Sequence, residues 1–171
     1  MAGTIRHKSQ NGWEVRSPVE AGVGIDVGDL LYQDASGYAR PVHYLVGASG
    51  GANEIGEVLH GSYLGVACDA RTGSETTDAE ILVATDGFFR YPLETAAAAV
   101  AQIGDLIGAE NNVITGHVED QMVALIDPFT TLAVTINGAI GVLIKAVAIG
   151  DTYVECRLIS SVMWGGVQSV I

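Results

Sequence analysis

Val27-Gly28-Asp29-Leu30, Ile103-Gly104-Asp105-Leu106 and Ile149-Gly150-Asp151-Thr152-Tyr153 are three statements of one phrase: an aliphatic residue, Gly-Asp, then residues suited to a strand. Glycine supplies the unusual backbone angle of a tight turn, and the aspartate after it can accept hydrogen bonds from the turn's own amides. The phrase therefore marks where strands begin. A chain punctuated in this way reads as a small all-β body, and such bodies bind or brace more often than they catalyse. The phrases lie 76 and 46 residues apart, too unevenly for a solenoid.

Outward from the first phrase, Leu30 to Tyr32, a polar turn at Asp34 to Gly37, and Tyr38 to Val42 predict a hairpin, extended by His43 to Val46. Ser62 to Cys68 reads as a strand and Asp69 to Asp78 as a solvated loop. Glu80 to Ala84 and Phe88 to Tyr91 flank Asp86-Gly87, a strong hairpin signal. Leu93 to Ile103 is alanine-rich, with Pro92 before it and Gly104 after it, which predicts one short helix. Thr131 to Ile136 and Ala139 to Ala148 flank Asn137-Gly138, a second hairpin signal. In Tyr153 to Ile159 the alternation places Val154, Cys156 and Leu158 on one face, as in a half-buried strand.

The 171 residues suffice for one core and are few for two domains with a linker. With 49% hydrophobic and 16% charged residues and a mean hydropathy of +0.33, the surface is apolar for a monomer, so self-association is expected. Net charge is −12, unevenly spread: residues 1–20 carry three bases against two acids, and 21–171 carry five against 18. So acidic a body repels phosphate backbones, and no nucleic-acid partner is expected. The polar, slightly basic residues 1–20 read as an extended N-terminal arm, and 21–171 as the β-rich domain. Cys68 and Cys156 read as free thiols. Met1 precedes no apolar h-region, and Leu132 to Ile149 is interrupted by Asn137-Gly138 and Lys145, so neither a secretory signal nor a membrane partner is expected.

Several motifs touch on chemistry. Gly47-Ala48-Ser49-Gly50-Gly51 matches the G-x-S-x-G nucleophile elbow, and a later acid with His117 would complete a serine hydrolase triad. The elbow needs a helix at once, however, and Ala52-Asn53-Glu54-Ile55-Gly56 forms helix poorly. A glycine loop is the better reading. Asp69 to Glu80 has an acid at each end of twelve residues, but Arg71 and Gly73 occupy EF-hand ligand positions. His7, His43, His60 and His117 lack zinc-ligand spacing. His117-Val118-Glu119-Asp120 reads as an exposed turn, phosphate-loop motifs are missing, and no catalytic residue, cofactor or metal is expected.

The order of phrases from Val27 to Val42, through Tyr63-Leu64-Gly65-Val66-Ala67 and Asp86 to Leu93, to Ile103-Gly104-Asp105-Leu106-Ile107-Gly108 resembles the capsid decoration (cement) proteins of tailed bacteriophages. The resemblance covers roughly residues 25–110 and implies a β-barrel or β-tulip body. It also implies a homotrimer on the outer capsid of the virion, made in the host cytoplasm and bridging neighbouring copies of the major capsid protein. The arm is expected to lie across a capsid subunit and add a strand to an exposed edge there. The expected arm contacts are Ile5, Arg6, Lys8, Trp13 and Arg16, with Trp13 as apolar anchor. Two alternatives remain: a small serine hydrolase using Ser49, or a self-assembling tail or shell protein.

Overall fold

A computed structural model describes residues 5–7, 13–45, 58–93, 96–112, 117–126 and 138–164. Eleven strands are described: β1 (Ile5–His7), β2 (Glu14–Val19), β3 (Leu30–Gln33), β4 (Ala39–Pro41), β5 (Tyr63–Ala67), β6 (Ala79–Ala84), β7 (Asp86–Pro92), β8 (Leu106–Asn112), β9 (His117–Leu125), β10 (Ala139–Leu143) and β11 (Tyr153–Ile159). They form two antiparallel sheets, ordered β2-β6-β5-β3-β4 and β1-β7-β11-β10-β8-β9. The all-β expectation is met. Among the described residues α-helix is confined to residues 58–62 and to one turn over Ser161–Trp164, and Val42–Tyr44 forms a 3-10 turn.

Adding five to each strand number of the first sheet gives the order of the second without β1. The molecule is a tandem duplication. Strands β2–β6 form one repeat and β7–β11 the other, and the correspondence extends to single pairings. Leu30 pairs with Val66, Leu31 with Gly65 and Tyr32 with Tyr63; 76 residues later Leu106 pairs with Val142, Ile107 with Gly141 and Gly108 with Ala139. The register shift falls at the same place in both. The 76-residue interval between the first two phrases is thus the period of the duplication.

The phrases themselves are type II turns with Gly28, Gly104 and Gly150 at φ of 96°, 94° and 90°, a region open to glycine at little strain. In each, the aspartate side chain accepts from the amide three residues back: Asp29 from Asp26, Asp105 from Gln102 and Asp151 from Ala148, at 2.7–2.8 Å. β3 and β8 begin at the next residue and β11 two residues on. Before each turn stands a residue in a reciprocal bridge, Ile25 with Arg71 and Ala101 with Val147. The third phrase thus sits opposite the second inside repeat two. Its counterpart in repeat one is Thr72-Gly73-Ser74-Glu75, which keeps a turn bond from the Glu75 amide to the Thr72 carbonyl without the Gly-Asp.

Both sheets curl, so that β2 lies against β4 and β7 against β9. Equivalent positions fill the two interiors: Val19 and Leu93, Leu31 and Ile107, Leu64 and Ile140, Ala67 and Leu143, Ile81 and Val154, Val83 and Cys156, all buried. Burying a side chain of this size stabilises by roughly 1.5–3 kcal/mol. The outer face of the first sheet, carrying Leu30, Tyr32, Tyr63, Val66 and Ala84, joins one continuous core with repeat two. Tyr91 Oη donates to the Gly28 carbonyl (2.7 Å) and Ser160 Oγ to the Tyr63 carbonyl (3.1 Å), so the repeats are also tied by hydrogen bonds. The Cys156 thiol is pushed up to about 12 by burial, and neither Cys68 nor Cys156 is in a disulfide.

Several expectations are corrected. Residues 96–103 do not form a helix: Ala97 donates to the Asp151 carbonyl and accepts from Gly150, and Ala101 bridges Val147, so these backbone groups are spent across the chain. Asp86-Gly87 is no hairpin turn. β6 and β7 belong to different sheets, the switch occurs at Thr85, and a side chain at Gly87 would meet the Phe89 ring. Val42–Tyr44 turns away rather than extending β4, and His117–Leu125 is a strand rather than a turn. The loop after β5 is mostly exposed, but Arg71 within it is 6% exposed and binds the carbonyls of Val19, Glu20 and Thr77 and the Glu75 carboxylate. The expected strand over 131–136 lies outside the described residues, and both edges of β10 are taken by β8 and β11.

Candidate functional site

The predicted arm is divided by the structure. Residues 14–19 are strand β2, paired with β6 over its full length from Glu14–Ala84 to Val19–Ala79, so the arm cannot extend to residue 20. The reason is the alternation Val15, Ser17, Val19, which gives this stretch an inward face. Arg16 therefore projects from an edge strand on the exposed side. Trp13, 61% exposed, precedes it, and its carbonyl accepts from the Thr85 amide and hydroxyl. Ile5 and Arg6 lie in β1, opposite Arg90 and Phe89 of β7. This pairing lies within the chain itself, whereas the expected addition is to an edge of a capsid subunit. Lys8 lies outside the described residues.

Sequence reasoning missed a polar cluster between the repeats. The amide of His43 donates to Asp120 Oδ1 (2.8 Å), its Nδ1 lies 2.5 Å from Asp120 Oδ2, and Gln121 Nε2 donates to Asp29 Oδ1 (2.8 Å). Burial raises the Asp29 carboxyl above its ordinary value despite the Asp26 amide and Gln121, and likewise raises Asp120 despite His43. An acidic cleft of about 700 Å³ opens beside them, lined also by Asp26, Glu75 and Glu119. His43 and Asp120 are 77 residues apart and carry no spacing signal. Such a pair can hold and orient a proton. Ser49, the nucleophile of the hydrolase alternative, lies outside the described residues. Among the described residues no group of three or more His, Cys, Asp or Glu side chains is placed to hold a metal ion.

The third feature is an apolar end on repeat two. The residue before each Gly-Asp stands at the turn's tip, and Val27, Ile103 and Ile149 are 57%, 68% and 69% exposed. Ile103 and Ile149 belong to the bridged segments 96–104 and 144–150, where Ala98, Ala99, Val100, Ala146 and Ala148 are exposed too. A groove of about 810 Å³ runs beside them, floored by Leu106, Leu125 and Ile126. The same end of repeat one, residues 20–28 and 68–74, instead presents Asp26, Asp69, Thr72, Gly73 and Ser74 around Val27.

No protein-family model matches this chain, and no curated protein matches it in sequence. The residues above are therefore weighed on their own chemistry. The polar cluster ties repeat to repeat, whereas β1 lies at a sheet edge and the apolar end is exposed.

Proposed function

We propose that this protein is a structural decoration protein of a tailed-phage virion. In this reading it binds the outer surface of the icosahedral capsid as a trimer and stabilises it by bridging neighbouring capsomers. The reading rests on the polar, slightly basic N-terminal segment, whose residues 5–7 pair with the outer edge of β7 within the chain; exchanging that partner for an edge of a capsid subunit would turn the segment into a strand-adding arm. Two further features support it. The acidic body suits a face turned to water rather than to packaged DNA, and curled antiparallel sheets give a rigid block able to transmit load. Modest contacts per copy then sum over many copies into resistance of the shell to expansion.

The test is binding to capsids of the encoding phage stripped of this protein. Because residues 14–19 belong to the sheet, the informative truncation removes residues 1–12 and leaves Trp13 and β2 intact. Loss of at least about tenfold in affinity is expected, equivalent to about 1.4 kcal/mol. Unchanged affinity removes the arm, and failure of the full chain to bind removes the decoration reading altogether.

A further inference from the structure

We propose that the apolar end of repeat two, residues 96–104 and 144–150, is the surface through which copies of this chain bind one another. The inference deepens the trimer part of the reading above and rests on it only in taking the partner to be a second copy.

Repeat one is the internal reference. Both ends are built by the same device, a reciprocal bridge followed by a Gly-Asp turn, with matching bonds from Gly28 to Ala67 and from Gly104 to Leu143. The device needs the glycine's backbone angle and the aspartate's oxygen; it needs nothing aliphatic at the tip, where the fourth copy carries Gly73. Folding therefore leaves Val100, Ile103 and Ile149 unexplained, each more than half exposed. Where repeat one meets water it has acids and hydroxyls. Where repeat two ends it has alanine, valine and isoleucine.

Charge selects the occupant. A chain of net −12 repels its own copies over most of its surface, and the repulsion reaches about 8 Å at physiological salt. In 96–104 and 144–150 the only ionisable side chain is Lys145, paired with Glu155 at 3.4 Å. The exposed tips themselves thus bring no carboxylate to a second copy; carboxylates adjoin them at Asp105 and Glu110 in the groove and at Glu155 beside Lys145. A cationic partner, by contrast, is better matched to the acidic cleft between the repeats.

Size is consistent with one contact of a ring. All residues of the two segments except Ala97, Ala101 and Val147 are exposed, and the groove of Leu106, Leu125 and Ile126 extends them. A standard interface takes about 20–30 residues and roughly 800 Å² from each side; the 13 exposed residues here with the three of the groove make a smaller face, the size of a weak contact repeated around a ring.

Sedimentation velocity of the full chain over a concentration series tests the proposal, with three variants compared. Wild type is expected to associate. Ile103→Glu combined with Ile149→Glu should raise the dissociation constant at least about hundredfold, since two buried aliphatic contacts are replaced by charges. Val27→Glu, at the equivalent tip of repeat one, should leave association unchanged, with circular dichroism verifying the fold of all three. A wild type still monomeric at about 100 μM overturns the proposal, as does a double variant that associates like wild type. If wild type is monomeric and the double variant loses capsid binding, the face belongs to the capsid contact and the proposal is likewise overturned. The solution assay contains no capsid, so its failure and failure of the decoration reading are read separately.

Discussion

At residue 28 and, one period later, at residue 104 the backbone makes the same turn and the same bond to a strand 39 residues on, yet repeat one surrounds its turn with acids and repeat two with alanine and isoleucine. The inner faces differ far less: Leu31 and Ile107, Leu64 and Ile140, Val83 and Cys156 are all buried. Interior positions are held to apolar side chains by the curl of each sheet. Exterior positions answer to whatever surrounds the molecule. The divergence of two equivalent ends on one chain thus separates what folding demands from what an environment demands.

The largest test of the equivalence lies at Gly65 and Gly141. A Cβ at Gly65 would stand 2.2 Å from the Ala84 carbonyl oxygen, and one at Gly141 would stand 2.3 Å from that of Arg157. Gly65→Ala and Gly141→Ala should each destabilise by about 3 kcal/mol or more, because strand must be moved from strand. Urea unfolding checks this, and a single transition is expected since the outer face of the first sheet is packed into the core of repeat two. Similar losses at the two sites support the matched register. A tolerated Gly141→Ala breaks it.

Smaller effects are expected at the turns. Asp105→Ala and Asp151→Ala each remove one bond to a turn amide, for about 1 kcal/mol. Asp29→Ala also strands Gln121 and should exceed them, which makes the comparison of the three a measure of what the inter-repeat contact adds. Equal midpoints for all three would leave the Gln121 bond without energetic weight.

The pH dependence follows from the same contact. Burial raises Asp29 and Asp120, so the folded protein holds protons more tightly there than the unfolded chain. Stability from these groups accordingly increases as pH falls through the raised values toward the ordinary 3.8. Asp34 and Asp78 act oppositely. Asp34 is lowered, the upward push of burial being outweighed by Arg40 and the amides of Tyr38 and Ser36. Asp78 is lowered by the Ala21 amide and by Tyr38. Their contribution is lost as pH falls below the ordinary value. Asp29→Asn with Asp120→Asn should flatten the upper limb of the stability profile and leave the lower limb unchanged. If the upper limb persists in that variant, the assigned groups are wrong.

The least effect on folding is expected at the tips. In dilute, unassociated protein, Val27→Glu and Ile103→Glu should each change unfolding free energy by no more than about 0.5 kcal/mol, since both side chains are mostly exposed. A large loss at Ile103 alone would mean that its surroundings inside the monomer differ from those of Val27.

Much of the fold was legible because turn chemistry is local. Gly28-Asp29, the Asp34 to Gly37 turn and the alternation of Val154, Cys156 and Leu158 each state their structure within a few residues. The duplication was half legible. Its 76-residue interval stood in the sequence, but the 46-residue interval to the third phrase masked it, and the fourth copy at Thr72-Gly73-Ser74-Glu75 has lost the Gly-Asp. The alanine-rich stretch misled for a physical reason: helix propensity is worth tenths of a kcal/mol per residue, and pairing with 147–151 outweighs it. Asp86-Gly87 misled in the same way, as a hairpin signal overridden by a change of sheet at Thr85.

By itself the sequence determined the class of fold, the strand starts and the acidity of the body, since these depend on neighbours in the chain and on composition. Only the tertiary structure decided that the chain is a duplicated unit, that residues 14–19 belong to a sheet and that His43 meets Asp120. It alone also gathered Ile103 and Ile149 onto one open end. Each of those facts joins residues dozens of positions apart, and such contacts are fixed by register and curl, which no local pattern encodes.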